Sequence, residues 1–135
     1  MENNLEYKVH YADTDAYGVV WHGTYLRWME AGRVEWLLSN EVRIDELARD
    51  FGIVMPVVDI NIKYKFSAKL MDNVVVNTKV KALSNASVTF LQEIKIKETG
   101  KTCTVAEVRA TAIGKDGKII RDIGNLIGLK EINYV

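Results

Sequence analysis

The 135-residue sequence has one cysteine, two histidines, no net charge and no long apolar run. With Cys103 alone no internal disulfide can form, and its neighbours in TCTVAEV alternate as a strand does. It therefore reads as a small buried hydrophobe rather than a nucleophile. His10 and His22 each lack a partner at metal-ligand spacing, so no metal is expected. Lys plus Arg (18) balances Asp plus Glu (18), which leaves no net field to draw in a polyanion, and nucleic acid is not an expected partner. No stretch approaches the ~18 apolar residues of a membrane span, and MENNLEYKVH has no apolar core of signal-peptide length. The expectation is a cytoplasmic protein without a membrane span. GxGxxG, the phosphate-loop pattern and GxSxG are all absent, so the standard dinucleotide, phosphate-loop and serine-elbow chemistries drop out, and no cofactor is expected.

What is present suits one globular domain over residues 1–135: 48% of the residues are apolar and 27% charged. Residues 5 to 12, LEYKVHYA, alternate apolar and polar and predict a strand running toward Asp13 and Asp15. From Thr24 to about Asn40 the period changes: Tyr25, Trp28, Met29, Gly32, Trp36 and Leu37 recur at helical spacing. Gly32 inside this helix costs ~1 kcal/mol relative to alanine and marks close approach of another backbone. A second helix fits residues 44 to 51, with Asp45 and Glu46 in its first turn and Gly52 as its stop. Period two then returns around residues 59 to 66, 73 to 83, 87 to 98 and 102 to 114, joined by links too short for parallel crossovers. Asp116-Gly117 marks a further turn, extending the last strand toward Ile119 and Ile120, and Ile123 to Val135 reads as a short helix or a docked segment. The class is α+β: an antiparallel sheet of five or so strands around one long helix.

Residues 11 to 25, YADTDAYGVVWHGTY, hold the unusual chemistry: two carboxylates one residue apart, a glycine, and a histidine just ahead of a helix. A helix start presents unpaired N–H groups and the positive end of the macrodipole. Near His22, Gly23 and Thr24 it can polarise a carbonyl as an oxyanion hole does, while an acid from the preceding loop attacks that carbonyl or activates water. A bend at Gly18 lets Val19 to Trp21 approach a substrate backbone-first. Trp21 and Tyr25 are candidates to line its pocket, although aromatics beside a helix start are also ordinary core residues.

The run Tyr11-x-Asp13-Thr14-Asp15-x-x-Gly18-Val19-Val20-Trp21-His22-x-x-Tyr25 resembles the signature of the hotdog-fold acyl-CoA thioesterases, specifically the 4-hydroxybenzoyl-CoA thioesterase family and its Tol-Pal-associated branch. The resemblance covers nearly the whole chain. It implies a hotdog fold and hydrolysis of an acyl-CoA thioester, with Asp15 as the catalytic carboxylate, His22 at the helix start where the backbone N–H polarises the carbonyl, and Tyr11 as an aromatic of the site. Gly18, Val19, Trp21, Gly23 and Tyr25 are then the candidate substrate contacts. It also implies homodimers with sheets joined edge to edge, pairing into homotetramers. KFSAK departs from the pattern, with Ser67 where relatives often carry proline.

Without the family, Asp13 and Asp15 are turn formers, His22 a cap or surface residue, and Tyr11 a half-buried packing residue. His10 is assigned no role, and Asp13 stays structural. Glu107 and Arg109 share a strand face opposite Ala106, Ala110 and Ala112, which suits solvent or a subunit contact. Two rival functions share the fold: a non-catalytic acyl-CoA-binding module, and an enoyl-CoA hydratase or dehydratase.

Overall fold

The structure of the protein is a computed structural model, in which residues 1–129 are described. Five strands form one antiparallel sheet: β1 (Glu2–Lys8), β2 (Val57–Tyr64), β3 (Asn73–Leu83), β4 (Val88–Ile96) and β5 (Thr102–Ala110), in the spatial order β1-β3-β4-β5-β2. Between β1 and β2 the chain forms α1 (His22–Ser39) and α2 (Ile44–Phe51), and Ile123–Leu126 adds a short α3. The α+β architecture of a single sheet around one long helix is that expected from the two hydrophobic periods. Among the described residues no helix is long and apolar enough to cross a membrane.

The α1 stripe lies against the sheet. Tyr25, Trp28, Met29 and Trp36 are each at most 3% exposed, and each such burial contributes roughly 1.5–3 kcal/mol. Under the first half of α1 lie Val74, Val76, Ile94 and Val108; under the second half lie Leu83, Val88, Phe90 and Ile127. Gly32 sits at the seam. A methyl group there would come within 2.7 Å of Thr78 Oγ1 and 2.9 Å of Val76 Cγ1, so the expected close approach is met by the sheet itself. Across this seam Gln92 Nε2 donates to Thr78 Oγ1 and to the Met29 carbonyl, which satisfies a fully buried amide. Ala106, Ala110 and Ala112 are buried as expected, Cys103 is fully buried, and Glu107 on the opposite face pairs with Lys81.

Several boundaries differ from expectation. The first strand ends at Lys8 rather than residue 12, because the His10 N–H donates to Asp13 Oδ2 and winds Tyr11–Asp13 into a 3-10 turn. The long helix starts two residues early, at His22. The strand read as 59 to 66 is shifted to Val57–Tyr64, since Lys65 and Phe66 both donate to the one Cys103 carbonyl and leave the ladder. The last strand stops at Ala110 rather than 114, with Ile113 bridging instead to Val54 and Ile119. The Asp116-Gly117 turn forms as read, closed by Lys118 N–H to Asp116 Oδ1. Of the C-terminal tail, Ile123–Leu126 is helical and residues 130–135 lie outside the described residues.

Candidate active site

The loop between β1 and α1 is a small self-closed structure. After the 3-10 turn, Thr14 pairs with Val20, and the Asp15 N–H donates to the Val19 carbonyl at 2.9 Å. The chain reverses over Asp15 to Gly18, where the Gly18 N–H returns to the Asp15 carbonyl and Gly18 takes φ +79°, a conformation other residues adopt at a cost. The Asp15 carboxylate stands on this turn, half-buried. Its Oδ1 accepts the Tyr17 N–H at 2.8 Å, while Oδ2 has no partner among the described residues. One carboxylate oxygen is thus engaged in the turn itself.

Asp13 has opposite surroundings. It is 7% exposed, its Oδ2 accepts the His10 N–H at 2.9 Å, and its Oδ1 pairs with Arg27 Nη2 at 2.5 Å. Its carbonyl accepts the Trp21 N–H at 2.9 Å and the Thr24 hydroxyl at 3.1 Å. The base of the Asp15 turn is thereby tied directly to the start of α1.

At that start, Trp21 is extended, and the Thr24 N–H is taken up by the Trp21 carbonyl. The N–H groups of His22 and Gly23 have no acceptor among the described residues, and they stand at the positive end of an 18-residue helix. The Trp21 indole folds over Gly23, whose missing side chain makes room for it: a Cβ there would meet the ring at 2.3 Å. The His22 carbonyl accepts the Tyr64 hydroxyl at 3.2 Å, which joins the end of β2 to the helix start.

The residues singled out in the sequence thus fall in different places. Asp15, Gly18 and Val19 form the turn, with Val19 bridging to Lys69; Trp21, His22 and Gly23 form the adjoining helix start. Tyr11 lies on the 3-10 turn, 80% exposed rather than half-buried. Tyr25 is 3% exposed and lines no open surface. Its hydroxyl accepts the Ala68 N–H at 3.0 Å, while the Ala68 carbonyl accepts the Val20 N–H. Burial pushes the Tyr25 phenol up to about 12. This double fastening forms directly after Ser67, so the departure from proline leaves the strand end closed on the loop.

A second feature, a cavity of about 380 Å³, was not read from the sequence. It lies beneath α2, between α1 and the beginning of β2, with Val34, Leu37, Leu47, Met55, Val57 and Phe90 in its walls. That volume is in the range of small-molecule sites. The cavity explains why α2, with an apolar face of Ile44, Leu47 and Ala48, buries no residue fully. Glu30 and Arg33 of α1 also line it. Arg33 donates to Gln92 Oε1 at 2.9 Å, and burial pulls its guanidinium below its ordinary pKa, partly offset by the Glu30 charge. Glu30 and Arg33 are two of several charged residues on α1, and nothing in their local sequence sets them apart.

An acidic turn tied to a helix start, on a sheet wrapped around that helix, defines the hotdog class of domain. The model of the 4HBT thioesterase superfamily matches residues 17–114, and the chain belongs to that superfamily. The acyl-CoA thioesterase YbgC of Haemophilus influenzae is 31% identical over 108 residues, 80% of this chain and 79% of its own length. The Synechocystis protein sll0410 is 35% identical over 109 residues, a match that spans 80% of this chain but 65% of that protein. Among solved structures, the DHNA-CoA thioesterase of Staphylococcus aureus superposes with a TM-score of 0.82 at 30% identity, covering 89% of this chain and 80% of that one. The superfamily match begins after Asp15, so the role of that residue is argued from the geometry of its turn.

Proposed function

We propose that the protein hydrolyses an acyl-CoA thioester to a free acid and coenzyme A. The observation that carries this reading is the Asp13 carbonyl joining the Asp15 turn to the open N–H groups of α1. An acid and an oxyanion donor set are thereby held on one scaffold. The thioester carbonyl oxygen is received by the N–H groups of His22 and Gly23, where the developing charge meets the helix's positive end. Asp15 either attacks the carbonyl carbon, giving an anhydride that water then opens, or takes a proton from the attacking water. In both routes the C–S bond breaks and the thiolate leaves to take up a proton. The His22 ring sits edge-on to Tyr64 at 6.2 Å, so its backbone serves the oxyanion and its side chain serves orientation. In this reading Tyr11 is an aromatic of the site, Gly18, Val19, Trp21 and Gly23 contact the substrate, and the buried Tyr25 supports the loop through Ala68.

The acting unit in this reading is a homodimer, pairing further into a tetramer, in the cytoplasm. Strand β2 is a sheet edge whose Val57, Val58, Ile60 and Tyr64 are 39–49% exposed, an apolar edge that a second copy would cover. Two-fold antiparallel pairing sets the Val57 end of one β2 against the Tyr64 end of the other. Since Val57 lines the cavity and Tyr64 binds the His22 carbonyl, each cavity then adjoins the helix start of the partner. The acyl group enters that cavity.

Thiol release from a panel of acyl-CoA and aromatic thioesters tests the reading. Asp15→Asn is expected to abolish turnover with fold and oligomer state unchanged; ligand saturation without thiol release by the parent protein would make it a binding module instead. Single turnover in ¹⁸O water separates the routes, because nucleophilic attack places solvent oxygen in Asp15.

A further inference from the structure

The Asp13–Arg27 pair lies outside every role assigned so far, and its connections are unusually dense. Asp13 has five attachments: His10 N–H and Arg27 on its carboxylate, Trp21 N–H and the Thr24 hydroxyl on its carbonyl, and its own N–H on the His10 carbonyl. Arg27 lies on α1, one turn beyond the oxyanion donors, and its side chain is 62% exposed. An exposed arginine reaching a nearly buried carboxylate contributes little to global stability, because solvent competes for the guanidinium. Its mechanical effect is local. It closes a ring that runs from Asp13 through the Asp15 turn to Trp21, along the first turn of α1 to Arg27, and back to Asp13.

We infer that Arg27 and Asp13 act as a positioning pair, fixing the Asp15 carboxylate relative to the N–H groups of His22 and Gly23. The inference rests on the thioesterase reading, in which those two groups must meet one carbonyl from two directions. The bonds that otherwise hold the turn, Asp15 N–H to the Val19 carbonyl and the Trp21 N–H and Thr24 hydroxyl to the Asp13 carbonyl, reach no further than the first turn of α1. The side-chain bond to Arg27 adds the restraint that joins the acidic turn to the body of the helix, past its fraying end. An error of about 1 Å in such an alignment costs up to ~100-fold in rate, whereas ground-state binding of coenzyme A is unaffected by it. The pair therefore acts on kcat and leaves KM alone. Neither residue touches the reacting atoms.

The test compares the full-length parent with Arg27→Gln, Asp13→Asn, the double variant and Arg27→Lys, using thiol release and thermal melting. Arg27→Gln is expected to lower kcat about tenfold or more, with KM within twofold and Tm within a few degrees. Arg27→Lys, which keeps the charge, recovers most of the rate. Asp13→Asn gives a similar loss, and the double variant is no slower than the slower single one, as for two halves of one contact. Losses that multiply in the double variant overturn the pairing. A rise in KM at unchanged kcat overturns it as well, since Arg27 would then be binding substrate, and so does a rate loss that lysine fails to rescue. Asp15→Asn run in parallel separates the two claims. An inactive Asp15→Asn with a fully active Arg27→Gln removes the positioning role alone, while an active Asp15→Asn removes the thioesterase reading and the positioning role with it.

Discussion

Two carboxylates one residue apart, Asp13 and Asp15, have opposite surroundings. Asp13 is nearly buried and multiply bonded, while Asp15 is half-buried with one oxygen unpaired among the described residues. Gly18 lets the turn between Asp15 and Val19 close, because its φ of +79° lies in the left-handed region. Gly18→Ala meets no neighbour within 4 Å but strains the backbone, at roughly 1 kcal/mol. It is expected to lower kcat several-fold while the melting temperature falls by only a few degrees. Tyr25 gives the pH-dependent case. Its phenol is raised from 10.0 to about 12 and the Cys103 thiol beside it from 9.0 to about 11, both first of all by burial. Groups raised in the folded state contribute stability that is complete below their unfolded values and lost as pH rises through the folded ones. Melting temperature should therefore hold up to about pH 9 and decline between pH 9 and 12, and Tyr25→Phe should shrink the decline while lowering stability at neutral pH through the lost bond to Ala68.

At the scale of elements, the long helix and the sheet are matched through Gly32. Gly32→Ala would gain about 1 kcal/mol of helix propensity. Its methyl would meet Thr78 Oγ1, Val76 Cγ1 and Gln92 Nε2 at 2.7 to 3.0 Å. Thr78 and Gln92 are hydrogen-bonded to each other and fully buried, so neither can swing away. Overpacking of this kind costs roughly 1–3 kcal/mol and outweighs the propensity. The expected result is a lower denaturation midpoint at unchanged m-value. α2 is built the other way, with no residue fully buried and a cavity beneath it. Amide exchange should accordingly be faster in Ile44–Phe51 than in α1, and should slow when a non-hydrolysable acyl-CoA analogue fills the cavity.

For the whole molecule, the surface that tests the proposed dimer is the edge strand β2. Ile60 is 41% exposed there, on the side of the sheet that α1 covers elsewhere. Ile60→Lys would bury a charge in the proposed dimer, costing about 3 kcal/mol, a factor of about 100 in dissociation constant. Sedimentation should show a shift to monomer, with loss of thiol release at the same protein concentrations. Retained activity in a monomer would remove the partner from the site.

Much of the architecture follows from local pattern. A period of 3.6 over α1, a period of two over the strands and turn chemistry at Gly52 and Gly117 are properties of neighbouring residues, so the sequence alone determined the elements, their order and the close approach at Gly32. The acidic loop ahead of a helix start was equally legible, because it lies within the one run of residues 11 to 25. Boundaries failed where a distant group competed with the local pattern, as the Cys103 carbonyl does for Lys65 and Phe66. Only the tertiary structure decided the strand order, the bond of Tyr25 to Ala68, the contact of Tyr64 with the His22 carbonyl, the pairing of Asp13 with Arg27 and the cavity under α2. Each of these depends on segments far apart along the chain, whose encounter is set by packing the whole sheet onto α1, and periodicity within a segment carries no information about that encounter.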